Sequence, residues 1–186
     1  ELHIAGLGPE EESLRKLAGA LDVAGEVRFH GLVRRMADFY CGLDIFLCPS
    51  VFDPIPNVCF EAGHFGCPVI CTAVDGMPEA VLDGRTGYCL KPTIPVQEYP
   101  SLGGSAVPPV KMVYDPSSDS LAAARLIDPA ILADRVRHLF EHPEERAAMG
   151  AAARDWIDSQ FRFEKYVEGF NGVIEEESQG RSRALS

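Results

Sequence analysis

Two carboxylates with seven residues between them, Asp53 and Glu61, flank a proline-rich turn that joins an apolar segment to a predicted helix. A carboxylate has two acceptor oxygens, so it can bind both hydroxyls of a vicinal diol such as ribose. Asn57 is the predicted N-cap of the helix, which leaves the N–H groups of Val58 and Cys59 facing a cleft. Free N–H groups at a helix N-terminus bind anions. An anion with a diol on each side describes a nucleotide diphosphate sugar.

The same spacing also has a structural interpretation. Asp53 would then be a turn-forming residue, and Glu61 would be a charge on the exposed face of a helix. Pairs of acids at a given spacing are common in proteins, and spacing alone favours this structural interpretation. The ligand hypothesis therefore depends on the rest of the sequence.

Composition narrows the classes of function. The chain has 186 residues, which fits one domain or one domain with an appendage, and its 17 basic and 28 acidic residues give a formal charge of −11. Nucleic-acid-binding proteins normally present a basic face, so we expect no nucleic-acid partner. No apolar run approaches the ~20 residues of a membrane-spanning helix, and residues 1–20 do not have the pattern of a signal peptide. A cytoplasmic location is expected, with peripheral contact to the inner face of a membrane left open.

The cysteines and histidines do not predict a metal site. None of the cysteines forms a C-x-x-C pair, and most lie in apolar segments, where free thiols are expected. His138 and His142 have the spacing of helical metal ligands, but Pro143 follows at once, so an exposed helix end is the favoured interpretation. The six cysteines are Cys41, Cys48, Cys59, Cys67, Cys71 and Cys89.

Residues 2–91 alternate short apolar segments with amphipathic ones, which predicts an α/β fold. Repeated βα units imply a doubly wound parallel sheet with helices on both faces. The predicted strands are residues 2–8, 27–33, 45–48, 69–72 and 88–90. The first predicted helix starts at Pro9, and the second contains Met36 to Leu43. Further helices are predicted at residues 57–66 and 77–82, after Pro143, and at residues 163–174.

Residues 93–127 interrupt this pattern with a Pro/Gly-rich segment, which we predict to be a structureless insertion loop. A helix is predicted to follow, with Asp128 as its cap and Pro129 in its first turn. The predicted domain covers residues 1–177, and residues 178–186 are expected to form a disordered tail.

Five segments carry a resemblance to a known family. They are ELHIAGLGPE, VRFHGLV, LDIFLCPS, FDPIPNVCFEAGHFGCPVI and DGMPEAVLDGRTGYCLKP. In order and spacing they resemble the nucleotide-sugar-binding half of group 1 retaining glycosyltransferases, which have the two-domain GT-B fold. The resemblance covers residues 1–92 and resumes at 128–177. It implies a Rossmann-like C-terminal domain of a hexosyltransferase that needs no metal ion.

The resemblance also implies roles for individual residues. In the family an E-x7-E motif occupies the acidic turn, and its second glutamate, matched by Glu61, holds the ribose hydroxyls. The first glutamate contacts the transferred sugar, which makes Asp53 the implied catalytic residue. The backbone that binds the diphosphate corresponds to Pro56, Asn57 and Val58. The loop that lies against the base corresponds to Gly31, Leu32 and Val33.

The sequence departs from the family pattern in two ways. Asp53 is one methylene shorter than the usual glutamate, although a D-P-x-P-N turn resembles a known variant. The family domain starts one βα unit earlier, with a central strand between residues 2–8 and 45–48, and that unit carries the cations that neutralise the diphosphate. The acceptor-binding N-terminal domain has no counterpart here. We therefore expect an inactive fragment that is either weakly stable or associated, for example as a swapped dimer.

The implied reaction is retaining transfer of a sugar from its nucleotide diphosphate to an unknown acceptor, which could be a glycan, a lipid-linked sugar or a small molecule. A sugar-nucleotide epimerase or hydrolase of the same fold is an alternative, and a non-catalytic sugar-nucleotide-binding module is another. A glycoside product, as opposed to free sugar, distinguishes the first hypothesis from the second. Turnover by the full-length protein excludes the third.

Overall fold

The first half of the chain alternates strands and helices, as its hydrophobic pattern predicts. The computed structural model describes residues 1–54, 56–104 and 110–184, with side chains up to residue 175. The strands are β1 (Leu2–Ala5), β2 (Val27–Gly31), β3 (Phe46–Cys48), β4 (Val69–Thr72) and β5 (Gly87–Leu90). The helices between them are α1 (Glu11–Ala20), α2 (Met36–Cys41), α3 (Asn57–His64) and α4 (Met77–Ala80).

Several of the predicted boundaries are wrong by a few residues, including the ends of α3 and α4, which are predicted at residues 66 and 82 and lie at His64 and Ala80. β1 stops at Ala5 because Gly6 has a φ of +130°, and β2 stops at Gly31, which has a φ of +59°. Such φ values are open mainly to glycine and do not continue a strand. α1 starts at Glu11, since Pro9 lies in the turn that precedes the helix.

The parallel strands form two separate sheets within the described residues. β1 pairs with β2, and the second sheet has the order β3-β4-β5. In the second sheet the register places Cys48 beside Cys71, and Cys71 beside Cys89. The parallel pairing and the intervening helices confirm the predicted α/β, Rossmann-like architecture.

The hydrophobic core is built around β4, whose four residues are all buried. Successive side chains of a strand point to opposite faces of the sheet. Val69 and Cys71 therefore pack in one layer with Tyr40, while Ile70 packs on the other face with Leu139. Both faces of this sheet are covered, as expected for a doubly wound fold.

A cavity of about 1140 Å³ separates the two sheets, and we call it the gap. Its walls include Leu2–Ala5 of β1, residues 45–47 around β3, and side chains of α2 and of the later helix α5 (Pro129–Glu141). No described strand pairs with the outer edge of β1 or of β3. One strand in the gap would complete the order 3-2-1-4-5-6 of a doubly wound sheet, with the added strand counted as the first. The gap lies where the resemblance predicts a missing central strand.

The segment 93–127 is more regular than its composition suggests. It contains a 3-10 helix (Val96–Leu102) and two short antiparallel strand pairs, β6 with β9 and β7 with β8. Val96, Val113 and Leu126 are buried together with Val74 in a third hydrophobic cluster. The prediction of a structureless loop is therefore wrong for the described residues, because elements this short accommodate prolines: β6 ends with Pro95, and the 3-10 helix includes Pro100. The strands are β6 (Ile94–Pro95), β7 (Met112–Asp115), β8 (Ser120–Ala123) and β9 (Arg125–Leu126).

Three helices complete the chain: α5, then α6 (Pro143–Gln160) and α7 (Phe163–Ala184). The Asp128 carboxylate accepts the N–H of Ala130 at 2.8 Å, which confirms the predicted cap of α5. The predicted tail from residue 178 instead continues the helical backbone of α7 to Ala184, and residues 185–186 lie outside the described part. Among the described residues, none of the helices has both the length and the apolar character that a membrane crossing requires.

Candidate functional site

The acidic turn, residues 49–56, connects the carboxyl end of β3 to α3. β3 ends at Cys48, and the chain passes Asp53 before α3 begins at Asn57. Asp53 is half-buried, whereas Glu61 is exposed one turn into the helix. Ligands of open α/β sheets bind outside the carboxyl ends of the strands. The structure therefore places both acids at the edge of the sheet where a ligand is expected.

The start of α3 differs from the prediction. Pro56, not Asn57, is the N-cap residue, and no side chain caps the helix. The Pro56 carbonyl accepts the N–H of Cys59 at 2.8 Å and that of Phe60 at 3.3 Å, so the prediction of a free N–H at Cys59 is wrong. The N–H groups of Asn57 and Val58 donate to no other described residue, and they are available to an anion at the positive end of the helix dipole.

One carboxylate oxygen of Glu61 is engaged within the protein. The hydroxyl of Tyr40, from α2, donates to Glu61 Oε2 at 2.9 Å. Tyr40 is only 1% exposed, and burial together with the hydrogen bond to the Glu61 carboxylate raises the pKa of the phenol. The other oxygen, Oε1, has no partner among the described residues, which leaves it open to a ligand hydroxyl.

Asp53 is held through its backbone. Its N–H donates to Asp75 Oδ2 at 3.1 Å, and Asp75 Oδ1 accepts the N–H of Tyr114 at 2.9 Å. Asp75 follows β4 with a φ of +48°, and Tyr114 belongs to β7 of the insertion. The Asp75 carboxylate therefore ties the acidic turn to the insertion. The carboxylate of Asp53 itself has no hydrogen-bond partner among the described residues.

The predicted base loop, Gly31 to Val33, lies at the end of β2 and so belongs to the other sheet. The Gly31 carbonyl accepts the N–H of Gly6 at 2.8 Å, which fixes the loop against the exit of β1. Leu32 is 69% exposed and Val33 is half-buried. Both this loop and the acidic turn follow the carboxyl ends of parallel strands, but the gap separates the sheets that carry them.

Two thiols flank the acidic turn. Hydrogen bonds with Cys59 and Ser50 lower the pKa of Cys48 to about 7, whereas the bond with Cys48 and burial raise the pKa of Cys59. All six cysteines are free. No group of three metal-binding side chains occurs in the described ranges, and His142 donates to the His138 carbonyl at 2.8 Å across the end of α5.

Two residues of the site, Tyr40 and Asp75, are not evident from the sequence. Tyr40 belongs to the apolar stripe of α2, where its hydroxyl is the only sign of a polar role. Asp75 precedes Gly76, and an Asp-Gly pair is typical of a tight turn, so its type suggests a structural position. Their contacts depend on tertiary packing that local patterns do not predict.

The sequence comparisons identify the family. A family profile described as glycosyl transferases group 1 matches residues 1–99, which is more than half of the 186 residues, and the chain belongs to this family. A D-inositol 3-phosphate glycosyltransferase of Streptomyces griseus is 39% identical over 82 residues. That alignment covers 43% of this chain and 17% of the relative, so the chain spans only a small part of the relative's length.

Solved structures show the same fold. Sucrose-phosphate synthase of Thermosynechococcus elongatus superimposes with a TM-score of 0.68 at 18% identity, over 96% of this chain and 39% of that protein. Anabaena HepE, solved in complex with UDP-glucose, gives a TM-score of 0.67 at 17% identity, over 94% of this chain and 40% of that protein. The chain therefore corresponds to one part of a larger GT-B glycosyltransferase fold.

Proposed function

We propose that this chain is the donor-binding domain of a group 1 glycosyltransferase that transfers a hexosyl group, with retention, from a nucleotide diphosphate sugar. The observation that carries the proposal is the acidic turn. Along the chain, Asn57 and Val58 with their open N–H groups follow Asp53 and precede Glu61, just after the carboxyl end of β3. An anion held there has an acid on each side to bind a sugar.

The proposed roles follow the positions of these groups. The diphosphate binds the N–H groups of Asn57 and Val58, which are fixed donors that stabilise the departing anion. Glu61 accepts the ribose hydroxyls through Oε1, since Tyr40 already occupies Oε2. Asp53 orients the transferred sugar from the far side of the turn. The side chain of Asp53 is one methylene shorter than that of glutamate, so its carboxylate extends less far towards the sugar.

The base is proposed to lie against residues 31–33, at the end of β2. The exposed Leu32 offers an apolar surface, and the backbone of Gly31 is held by its bond to Gly6. The UDP-glucose complex of Anabaena HepE supports a nucleotide sugar as the ligand class. The proposed acceptor is a glycan, a lipid-linked sugar or a small molecule.

We further propose that the full-length protein supplies the parts that this chain lacks. A strand of the preceding segment fills the gap, since β1 and β3 offer two parallel edges and apolar walls to it. A second domain binds the acceptor, and the chain alone is inactive. We expect no metal ion in the reaction, because helix N–H groups and cations of the added segment would neutralise the diphosphate. The six free thiols suit a reducing cytoplasm.

The test is nucleotide binding by the full-length protein. UDP, GDP and ADP are titrated in turn by calorimetry, and the nucleotide that binds is then titrated against Glu61→Gln. Loss of the charge-assisted bonds, worth ~1.5–3 kcal/mol each, should weaken binding about tenfold or more. Because Glu61 is exposed, the melting temperature should change little.

Glu12→Gln is the matched control, since Glu12 is an exposed acid on α1 far in sequence from the acidic turn. Its dissociation constant should equal that of the wild type. An unchanged dissociation constant in Glu61→Gln would remove the proposed ribose contact. With the matching nucleotide sugar, a glycoside product supports transfer, whereas release of free sugar alone would point to a hydrolase.

A further inference from the structure

The contact between Tyr40 and Glu61 joins a buried side chain to an exposed one. The phenol oxygen lies 2.9 Å from Glu61 Oε2, and its ring is 1% exposed. The ring of Tyr40 packs against two other aromatic rings. Its centroid lies 5.6 Å from that of Phe46 and 5.9 Å from that of Phe65. Tyr40 is therefore rigid, whereas the Glu61 side chain would otherwise rotate freely in solvent.

The direction of this hydrogen bond is fixed by chemistry. A carboxylate only accepts, so the phenol must donate, and its proton is committed to Oε2. Burial and the neighbouring carboxylate raise the pKa of Tyr40, so the phenol keeps that proton across the physiological range. The carboxylate is thereby restrained through Oε2, while Oε1 has no partner among the described residues.

We infer that Tyr40 is a positioning residue that sets the Glu61 carboxylate for a ribose diol. This inference rests on the proposed function, since it concerns the same site. A carboxylate held by a rigid donor loses little freedom when a ligand binds, so the bound arrangement is preformed. Selectivity for a nucleotide with intact 2′ and 3′ hydroxyls should therefore depend on the Tyr40 hydroxyl.

Tyr40 also lines the gap, together with Phe39 of the same helix. A segment that fills the gap therefore contacts these two rings. The position of Glu61 is therefore connected, through one side chain, to the occupant of the gap.

The experiment compares ribonucleotide and dideoxyribonucleotide binding in the full-length protein. The probes are UDP, GDP and ADP, followed by the 2′,3′-dideoxy form of the one that binds. Tyr40→Phe keeps the ring and removes the hydroxyl, and it should weaken ribonucleotide binding about three- to tenfold. Binding of the dideoxy form should stay within about twofold of the wild type, because that ligand has no diol to present.

Phe39→Leu is the control for packing. Its ring lies 6.2 Å from that of Tyr40, and no described contact joins it to Glu61. This variant should change melting temperature without changing the preference for the ribonucleotide. The double variant Tyr40→Phe, Glu61→Gln should bind the ribonucleotide no more weakly than Glu61→Gln alone. The two substitutions disrupt the same contact with the ribose, so their effects should not add.

Failure of the positioning role and failure of the proposed function give different binding results. If Glu61→Gln weakens ribonucleotide binding and Tyr40→Phe does not, the positioning role is wrong and the proposed function stands. Equal weakening of the ribonucleotide and the dideoxy form by Tyr40→Phe would mean a purely structural role and would also reject the inference. If none of the three nucleotides binds the wild type, the proposed function fails and the inference fails with it.

Discussion

β4 and β1 are both short, apolar, parallel strands, yet they lie in different environments. All four residues of β4 are buried, whereas Leu2 of β1 is 44% exposed and Ile4 is only half-buried. β4 has a strand on each edge and helices over both faces, while β1 has β2 on one edge and the gap on the other. The burial of a strand is therefore set by its neighbours more than by its own hydrophobicity.

The proposed ligand site is divided between the same two sheets. The acidic turn belongs to the packed sheet, where Tyr40 and Asp75 hold Glu61 and Asp53. The proposed base loop belongs to the β1-β2 sheet, across the gap. We therefore expect the contacts to phosphate and ribose to be preformed, and the contact to the base to depend on what fills the gap.

Removal of the segment proposed to fill the gap should change activity and stability more than any substitution described below. Deleting the segment that precedes this chain in the full-length protein should abolish transfer. It should also lower the free energy of unfolding by more than about 3 kcal/mol, because both strand edges lose hydrogen bonds and apolar contacts. Urea unfolding and a product assay measure the two effects.

The shortened protein should also associate through the unpaired edges of β1 and β3. Unpaired parallel edges beside an apolar cavity favour association, so chromatography with light scattering should show oligomers or a swapped dimer. A stable monomer that still transfers sugar would contradict both the proposed occupant and the comparison on which it depends.

Truncation of one isoleucine in each sheet should destabilise the protein by different amounts. Ile70 of β4 is 0% exposed, and Ile70→Ala should lower the free energy of unfolding by about 2–5 kcal/mol. Ile4 of β1 is half-buried beside the gap, so Ile4→Ala in the same chain should cost less than about 1.5 kcal/mol. Denaturant titration of both variants gives the comparison.

The same two variants should behave differently in the full-length protein. If a strand fills the gap there, Ile4 becomes buried and its replacement should become nearly as costly as that of Ile70. Equal costs in the short chain would mean that β1 is already well packed without a further neighbour.

Local sequence patterns predict much of this fold, and the exceptions have physical causes. The alternation of apolar segments gives the five parallel strands, and Asp128 before Pro129 gives the start of α5. The pattern does not reveal that Val96 and Val113 build a separate cluster, because their burial depends on contacts with Val74 after β4. Burial in the insertion is thus a tertiary effect that proline content conceals.

The same limit applies to the site. The spacing of Asp53 and Glu61 is visible in the sequence, and the structure places both at the carboxyl edge of the sheet. The cap of α3 is predicted wrongly, because Asn57 is the commoner cap type and the geometry of Pro56 overrides that preference. The partners of the two acids come from other elements of the chain, so only the folded structure reveals them.

A smaller effect is expected from two glycines in differently packed helices. An added Cβ at Gly150 of α6 would clash with the carbonyl oxygen of Gly66, so Gly150→Ala should destabilise the protein by about 1–3 kcal/mol. At Gly169 of α7 nothing lies within 4 Å, and Gly169→Ala should stabilise that helix by up to about 1 kcal/mol. Opposite shifts in melting temperature are the expected result, and shifts of the same sign would mean that α7 is packed in solution.

The smallest effect tests how the insertion supports the acidic turn. Asp75 accepts the N–H groups of Asp53 and Tyr114 on separate oxygens, whereas asparagine has one acceptor oxygen and tolerates the φ of +48°. Asp75→Asn should therefore lose one hydrogen bond, ~0.5–1.5 kcal/mol, and weaken nucleotide-sugar binding by up to about tenfold. Calorimetry on the full-length protein measures the change.

Asp119→Asn is the matched control for that variant. Asp119 has a φ of +49° and accepts the hydroxyl of Tyr114 at 2.7 Å, but it has no described contact with the acidic turn. Its replacement should disturb the same hairpin and leave the dissociation constant within about twofold of the wild type. If both variants weakened binding equally, the insertion would act through its overall stability. If neither did, the bond from Asp53 to Asp75 would have no part in holding the turn, and the packed sheet alone would set the site.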